Sequence, residues 1–257
     1  MCATCGCGEE AGFRIALPDE HEHEHEHEPQ PGHRHHHHGQ EHPHTETITL
    51  EQQVLAKNDL LAARNRSWLA DRGILALNIM SSPGSGKTNL LERSIAHLGA
   101  RRSVCVIEGD QETTLDAQRI RRAGAAVVQV NTGAGCHLDA EMTQGALSAL
   151  EPAAGALLFV ENVGNLVCPA LFDLGEGKKV VVISVTEGTD KPLKYPHMFA
   201  AADLVVVNKI DLLPYVDFDV ARCGQYARSV NPHVQMLTLS ATTGENVDHW
   251  YDWIAQQ

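Results

Sequence analysis

The sequence has little that would support several common classes of protein. Aromatic residues make up 5% of its 257 residues, and no apolar run approaches the roughly 20 residues that a membrane-spanning helix needs. The formal net charge is −13, and no basic patch indicates nucleic acid as a partner. The first residues lack the basic region and the apolar stretch of a signal peptide, so we expect a cytoplasmic protein with reduced thiols.

Apolar residues are scarcest in the first 46 positions. This stretch is dense in His, Glu, Pro and Gly, and it carries a net charge of −8, which leaves about −5 for the rest of the chain. A segment with so few apolar side chains cannot contribute to a folded core. We therefore predict a largely disordered tail over residues 1–46 and a folded domain over residues 47–257.

A glycine-rich segment follows the apolar run 74–80 and precedes a helical pattern. Its sequence is Ser81-Ser82-Pro83-Gly84-Ser85-Gly86-Lys87-Thr88. A glycine-rich turn between a strand and a helix is typical of a phosphate-binding loop, although Ser81 stands where the first glycine is usual. The backbone N–H groups of residues 84–86 would surround a polyphosphate, Lys87 would reach its β- and γ-phosphates, and the Thr88 hydroxyl would bind Mg²⁺.

Two later segments predict which base the protein prefers. Asn208-Lys209-Ile210-Asp211 follows an apolar strand, and the Asp211 carboxylate can accept hydrogen bonds from both N1–H and the exocyclic amine of guanine. Adenine offers no such pair of donors. Ser240-Ala241-Thr242 follows another predicted strand and resembles the base-contacting loop of GTPases. These segments favour GTP over ATP.

Three acidic residues are candidates for the chemistry at the γ-phosphate. Asp110 follows a predicted strand, and Asp116 lies in the adjacent loop or helix. Either could hold Mg²⁺ through water or position the attacking water. Glu161 ends the predicted strand at residues 156–161, where GTPases carry an acid on the metal side. With no obvious arginine finger or glutamine beside the phosphates, we expect slow hydrolysis.

Because we expect a cytosolic protein, we consider its seven cysteines as metal ligands before we consider disulfide bonds. Cys2, Cys5 and Cys7 fall within six residues, and their thiolates, with the free amine of Cys2 if Met1 is removed, would suit square-planar Ni²⁺ or tetrahedral Zn²⁺. Eleven of the sixteen histidines lie between positions 21 and 44, alternating at first with glutamates. That tract is predicted to store or buffer divalent metal ions without one fixed geometry.

A second group of possible ligands lies inside the domain. Cys136 and His137 are adjacent, and Cys168 comes seven residues after Glu161. Together they would suit Zn²⁺ or Ni²⁺, and we consider a site shared across a two-fold dimer. Cys105 and Cys223 are interpreted as structural.

The pattern of apolar residues predicts an α/β fold. A helix is expected over about residues 50–70. Its apolar residues recur at roughly helical spacing: Leu50, Val54, Leu55, Leu61 and Leu69. After the strand that leads into the phosphate loop, further strands alternate with helices, which predicts a mostly parallel sheet flanked by helices. These strands are expected at residues 103–108, 126–130, 156–161, 179–185, 204–208 and 234–239.

In these motifs the chain resembles the HypB family of hydrogenase nickel-incorporation GTPases. The resemblance covers nearly the whole chain. It rests on C-x-x-C-G-C-G, the His-rich insert, S-S-P-G-S-G-K-T, E-G-D-Q-x-T-x-x-D-A, G-x-G-C-H-L, E-N-V-G-N-L-V-C-P and N-K-x-D. The departure at Ser81 matches that family's form of the loop. The resemblance implies a P-loop GTPase of the SIMIBI class that dimerises with nucleotide and delivers nickel to the large subunit of a [NiFe]-hydrogenase.

The resemblance also implies partners and metal sites. The partner would be a small HypA-type zinc protein. Cys2, Cys5 and Cys7 resemble a high-affinity nickel site, and the Cys136, His137 and Cys168 set resembles a weaker nickel or zinc site coupled to the nucleotide. Two alternatives stay open: a urease-type maturation GTPase, which would lack the cysteine-rich start and normally has Cys-Pro-His, and a nickel storage protein with a regulatory nucleotide domain.

Overall fold

The computed structural model describes residues 14–16, 44–110, 115–133 and 135–257, with side chains from residue 52 onward. Within these residues, eight strands form one sheet in the order β1-β4-β3-β5-β2-β6-β7-β8. The strands are β1 (Arg14–Ala16), β2 (Leu75–Ser81), β3 (Val104–Asp110), β4 (Ala126–Asn131), β5 (Leu157–Gly164), β6 (Lys178–Ser184), β7 (Leu204–Asn208) and β8 (Gln235–Thr238).

The helices cover both faces of the sheet. They are α1 (His44–Asp71), α2 (Lys87–Leu98), α3 (Leu115–Arg122), α4 (Ala140–Leu150), α5 (Lys191–Lys194), α6 (Pro196–Ala201), α7 (Val220–Val230) and α8 (Val247–Ala255), and 3₁₀ turns occupy Cys168–Ala170 and Ile210–Tyr215. Among the helices that the structure describes, none combines the length and apolar character needed to span a membrane.

The predicted α/β fold with a mostly parallel sheet is confirmed. Every strand expected from the apolar pattern is present, with its ends within three residues of the prediction. The one antiparallel pair joins β1 to β4, and β1 was not predicted because it lies in the stretch assigned to the tail. The other pairs are parallel, so the carboxyl ends of β2 to β8 meet at one edge.

Alternation along β2 divides the core between the two faces of the sheet. Leu77 and Ile79 pack with α2, α3 and α8 around Trp250. Ala76 and Met80 lie on the opposite face, where α1 and α4 cover one end and α6 and α7 cover the other. Because side chains alternate with a period of two, Asn78 belongs to this second face, where the two apolar clusters meet.

The helix expected at about residues 50–70 is α1, and it begins earlier, at His44. The prediction of its packing face was partly wrong. Leu69 is buried, but the Val54 side chain is 49% exposed. The face against the domain instead includes Asn58, Ala62 and Asn65, whose polar members find hydrogen-bond partners in the loops below. A search for apolar periodicity alone misses such a face.

Helix α1 packs tightly against Gly175, and this contact yields a prediction. Gly175 has φ +90°, and a Cβ there would lie 2.6 Å from both the Ala62 carbonyl oxygen and the Asn65 Cβ. Gly155 is the matched control, because it has φ +74° and nothing within 4 Å of such a Cβ. Gly155→Ala should cost about 1–2 kcal/mol of unfolding free energy through backbone strain. Gly175→Ala should cost about 1–3 kcal/mol more, since α1 must shift.

Urea denaturation of the two variants measures both costs. Equal destabilisation by Gly175→Ala and Gly155→Ala would contradict close docking of α1.

Candidate functional site: a nucleotide site beside a thiol-imidazole cluster

The glycine-rich loop has the backbone that a phosphate requires. Gly84 and Gly86 have φ of +72° and +95°, a region that other residues rarely adopt, and α2 begins at Lys87 directly after them. A Cβ on Gly86 would collide with the side-chain amide of Asn208. The Ser85 hydroxyl is buried and has no hydrogen-bond partner among the described residues. The loop therefore presents backbone and hydroxyl groups at a helix N-terminus, where an anion is stabilised.

Thr88 and Glu161 meet at the side of this loop. The Thr88 hydroxyl donates a 2.7 Å hydrogen bond to one oxygen of the Glu161 carboxylate. The other oxygen is buried and has no partner in the described part of the chain. Burial raises the pKa of Glu161, and the positive charge of Lys87 opposes that rise. A hydroxyl and a carboxylate with spare acceptor capacity are oxygen ligands of the kind that Mg²⁺ prefers, so these residues fit that ion.

A second buried acid, Glu108, was missed by sequence reasoning. It lies in β3 directly across from Glu161 in β5, and it is 3% exposed. Burial, together with the nearby charge of Glu161, raises its pKa to about 9, and the charge of Lys87 opposes that rise. The signal was present, because Glu108 is a charged residue at the end of an apolar strand.

The other two predicted acids lie at the same edge of the sheet. Asp110 is the last residue of β3, and Asp116 is in the first turn of α3. Asp116 forms a 3.2 Å ion pair with Arg119, which also pairs with Glu92 of α2 at 2.7 Å. Arg119 is therefore held by carboxylates. Residues 111–114, which connect β3 to α3, lie outside the described residues.

The base-recognition segments converge on the phosphate loop. The Asn208 side chain donates to the Ser85 carbonyl at 2.9 Å and accepts from the backbone N–H of Ala241 at 2.9 Å. Lys209, at φ +63°, donates from Nζ to the Gly84 carbonyl at 2.6 Å.

Asp211 and Ser240 complete this part of the site. One oxygen of Asp211 is buried without a hydrogen-bond partner among the described residues. Ser240 is fully buried, and its hydroxyl accepts from the backbone N–H of Thr243 at 3.0 Å, which shapes the loop. Asp211 therefore has unused acceptor capacity, and it lies in the segment whose Asn208 and Lys209 contact the phosphate loop.

The three candidate ligands inside the domain also come together. Cys136, His137 and Cys168 each place a ligand atom within 4.8 Å of the others. The two sulfur atoms are 2.9 Å apart, and the Cys136 sulfur is 3.6 Å from Nδ1 of His137. The His137 ring stacks on Phe172 at 4.0 Å between centroids. One chain therefore brings all three candidate ligands together.

The chemistry of this cluster suits a borderline metal ion. Burial lowers the pKa of His137, which favours the neutral imidazole that binds metals. Two thiolates and an imidazole are typical ligands of Zn²⁺ and Ni²⁺. Among the described residues this is the one group that meets the criterion of three such ligands close together.

The remaining cysteines form two groups. Cys105 and Cys223 are buried in the core, and burial raises the pKa of these thiols to about 12 and about 11, which fits their structural interpretation. Cys2, Cys5 and Cys7 lie outside the described residues, as do all of the histidine tract's residues before His44.

Comparisons with known proteins agree with this geometry. A family model described as the CobW/HypB/UreG nucleotide-binding domain matches residues 75–238. The hydrogenase maturation factor HypB of Rhizobium leguminosarum bv. viciae is 58% identical over 207 residues, which cover 80% of this chain and 69% of that protein.

Two crystal structures are also similar. HypB from Archaeoglobus fulgidus is 40% identical with a TM-score of 0.73, and the match covers 78% of this chain and 98% of that one. HypB from Helicobacter pylori in complex with nickel is 37% identical with a TM-score of 0.74, and the match covers 78% and 94%. The chain therefore belongs to the HypB family of P-loop nucleotide-binding proteins.

Proposed function

We propose that the protein is a GTP-hydrolysing nickel metallochaperone that delivers nickel during maturation of a [NiFe]-hydrogenase. Its partners would be a HypA-type accessory protein and the hydrogenase large subunit, and its nucleotide-bound form would be a homodimer. Nickel is the cargo, and zinc is the other ion that the Cys136, His137 and Cys168 set would accept.

The observation that supports this proposal is that β5 connects the phosphate loop to the thiol-imidazole cluster. Glu161 in β5 contacts Thr88 of the phosphate loop, and the chain that leaves β5 carries Cys168 into the thiol-imidazole cluster. The Asn165 side chain, between them in sequence, donates to the Cys136 carbonyl at 3.2 Å. A change in Glu161 on hydrolysis therefore has a short route to the metal ligands.

Each nucleotide-site residue has a role in this proposal. Lys87 and the loop N–H groups would bind the phosphates, and Thr88 with Glu161 would hold Mg²⁺, which neutralises phosphate charge when bound. Asp110 or Asp116 would position the attacking water. Arg119 is held by Glu92 and Asp116, so it is not placed to serve as an arginine finger. We therefore expect slow hydrolysis of GTP.

Nickel binding to the reduced full-length protein tests the proposal. Affinity and stoichiometry are measured without nucleotide, with GDP and with a non-hydrolysable GTP analogue, each with Mg²⁺. We expect a nucleotide-dependent change that Cys136→Ala abolishes, because one of the domain's thiolate ligands is lost. Cys223→Ala is the matched control, since it removes a core thiol outside the cluster, and it should keep the change.

Identical nickel binding in every nucleotide state would contradict delivery by a nucleotide switch and would favour a storage role for the tail. Repeating the titration with Zn²⁺ determines which ion the cluster prefers.

A further inference from the structure

A network of buried side chains connects the two chain segments that carry the ligands of the thiol-imidazole cluster. We call these segments the two arms: one carries Cys136 and His137 and continues into α4, and the other carries Cys168 and continues toward β6. We call the side chains between them the amide network, and its members are Asn58, Asn65, Asn78, Asn162 and Glu176. Each is at most 6% exposed. Burying this many polar side chains would lower stability if they lacked hydrogen bonds, but each of them is hydrogen-bonded.

Asn162 holds the first arm to the sheet. Its side-chain oxygen accepts from the backbone N–H of Leu138 at 3.1 Å, and Leu138 directly follows His137. The same oxygen accepts from the N–H of Val163 at 3.0 Å, and the Asn162 amide nitrogen donates to the Asn78 side chain at 3.3 Å. The position of Asn162 therefore determines where the residue after His137 is anchored.

The second arm is held through Asn78 and Glu176. Asn78 donates to one Glu176 oxygen at 3.0 Å, and the other Glu176 oxygen accepts from the backbone N–H of Leu174 at 2.7 Å. Leu174 belongs to the arm that begins with Cys168. Both arms are thus attached to neighbouring strands by a continuous chain of hydrogen bonds.

Helix α1 closes the network on its outer side. Asn65 donates to the carbonyl oxygens of Ala140 at 2.9 Å and Leu174 at 3.0 Å, so one side chain bridges the two arms. Asn58 accepts from the Ala140 N–H at 2.9 Å and donates to the Asp173 carbonyl at 2.8 Å. These contacts fix the arms relative to each other, but they lie away from the nucleotide site.

Asn162 differs from Asn65 because it also adjoins the nucleotide site. Glu161 and Asn162 are consecutive residues of β5, so their side chains point to opposite faces of the sheet. Glu161 contacts Thr88 on the α2 face, whereas Asn162 contacts Leu138 on the α1 and α4 face. Movement of this strand end on binding or loss of the γ-phosphate would shift both side chains together.

We propose that Asn162 is the positioning residue that carries the state of the nucleotide site to the metal cluster, by moving the Cys136-His137 arm relative to Cys168. This inference rests on the proposed function, since it requires that nickel binding depend on the nucleotide. Asn65 would hold the arms together without transmitting that state.

The test measures nickel affinity of the reduced full-length protein with GDP and with a non-hydrolysable GTP analogue. The wild-type ratio of the two affinities is expected to be about 5- to 150-fold. Asn162→Ala should lower that ratio by roughly 2- to 30-fold. Asn65→Ala, the matched control, should weaken nickel binding in both states and leave the ratio unchanged. The thiolate-to-nickel absorption band should respond to the nucleotide in the wild type and in Asn65→Ala, and it should respond less in Asn162→Ala.

Three outcomes decide between the possibilities. A wild type without nucleotide dependence overturns the proposed function and this inference together. A nucleotide-dependent wild type whose ratio survives Asn162→Ala overturns this inference alone. If circular dichroism shows that Asn162→Ala does not fold, Asn162→Ser and Asn78→Ser replace it, because each interrupts the hydrogen bond between the Asn162 and Asn78 side chains. A ratio of nickel affinities that is unchanged in both variants also overturns this inference.

Discussion

Replacing Asp211 by Asn is expected to change the preferred base from guanine to xanthine. The buried Asp211 oxygen has no hydrogen-bond partner among the described residues, so it is available to guanine N1–H and the exocyclic amine. An asparagine would place its NH₂ group against one of these donors. Because a mismatched buried donor costs several kcal/mol, GTP affinity should fall by about 10²- to 10⁴-fold.

Xanthosine triphosphate makes this prediction specific. Xanthine carries a carbonyl where guanine carries the amine, so the asparagine NH₂ would find an acceptor and binding should recover. Direct titration with fluorescent analogues of GTP and of xanthosine triphosphate measures both affinities. Asp217→Asn is the control, since Asp217 is exposed in the connection that follows the 3₁₀ turn. Unchanged GTP binding by Asp211→Asn would show that the base is recognised elsewhere.

The nucleotide half of the site was predictable because its residues act through short segments of sequence. The turn around Gly86 must bring backbone close to a phosphate, and Asn208-Lys209 must follow a strand to reach it. Both requirements constrain residue type at fixed spacing. Parallel strands then bring distant segments to one edge, so alternation of strands and helices was enough to place Asp110 and Glu161 together.

The amide network was not predictable from such spacing. Asn65, Asn78 and Asn162 come from a helix and two strands, and their meeting depends on the register of the sheet and the docking of α1. A single sequence does give one hint, because Asn78 interrupts an otherwise apolar strand. Its partners follow from tertiary packing, which also explains why the packing face of α1 was partly misjudged.

The alternation of β5 separates two kinds of chemistry with one strand. Glu161 faces the Thr88 hydroxyl at the end of the glycine-rich loop, and Asn162 faces the segment that leads to two thiols and an imidazole. The two candidate metal sites therefore need not share ligands, because oxygen ligands suit Mg²⁺ and sulfur ligands suit Ni²⁺ or Zn²⁺. In the proposed function, the strand is the shared element through which either site would affect the other.

Replacing Lys87 by Ala should produce the largest loss of hydrolysis. Lys87 is the first residue of α2, and its charge opposes the rise that burial causes in the pKa values of Glu161 and Glu108. A γ-phosphate bound there would develop charge in the transition state that this ammonium stabilises. Loss of one such group typically costs about 10²- to 10³-fold in kcat.

Single-turnover release of phosphate from GTP measures the effect, and binding of a fluorescent GDP analogue separates loss of binding from loss of catalysis. Lys57→Ala is the control, because Lys57 is exposed on α1 and pairs with Glu141 at 2.8 Å. Removing Lys87 also leaves Glu108 and Glu161 without their nearby positive charge, so the variant should need more Mg²⁺ for the same rate. A Lys87→Ala protein that releases phosphate at the wild-type rate would place the catalytic charge on another residue.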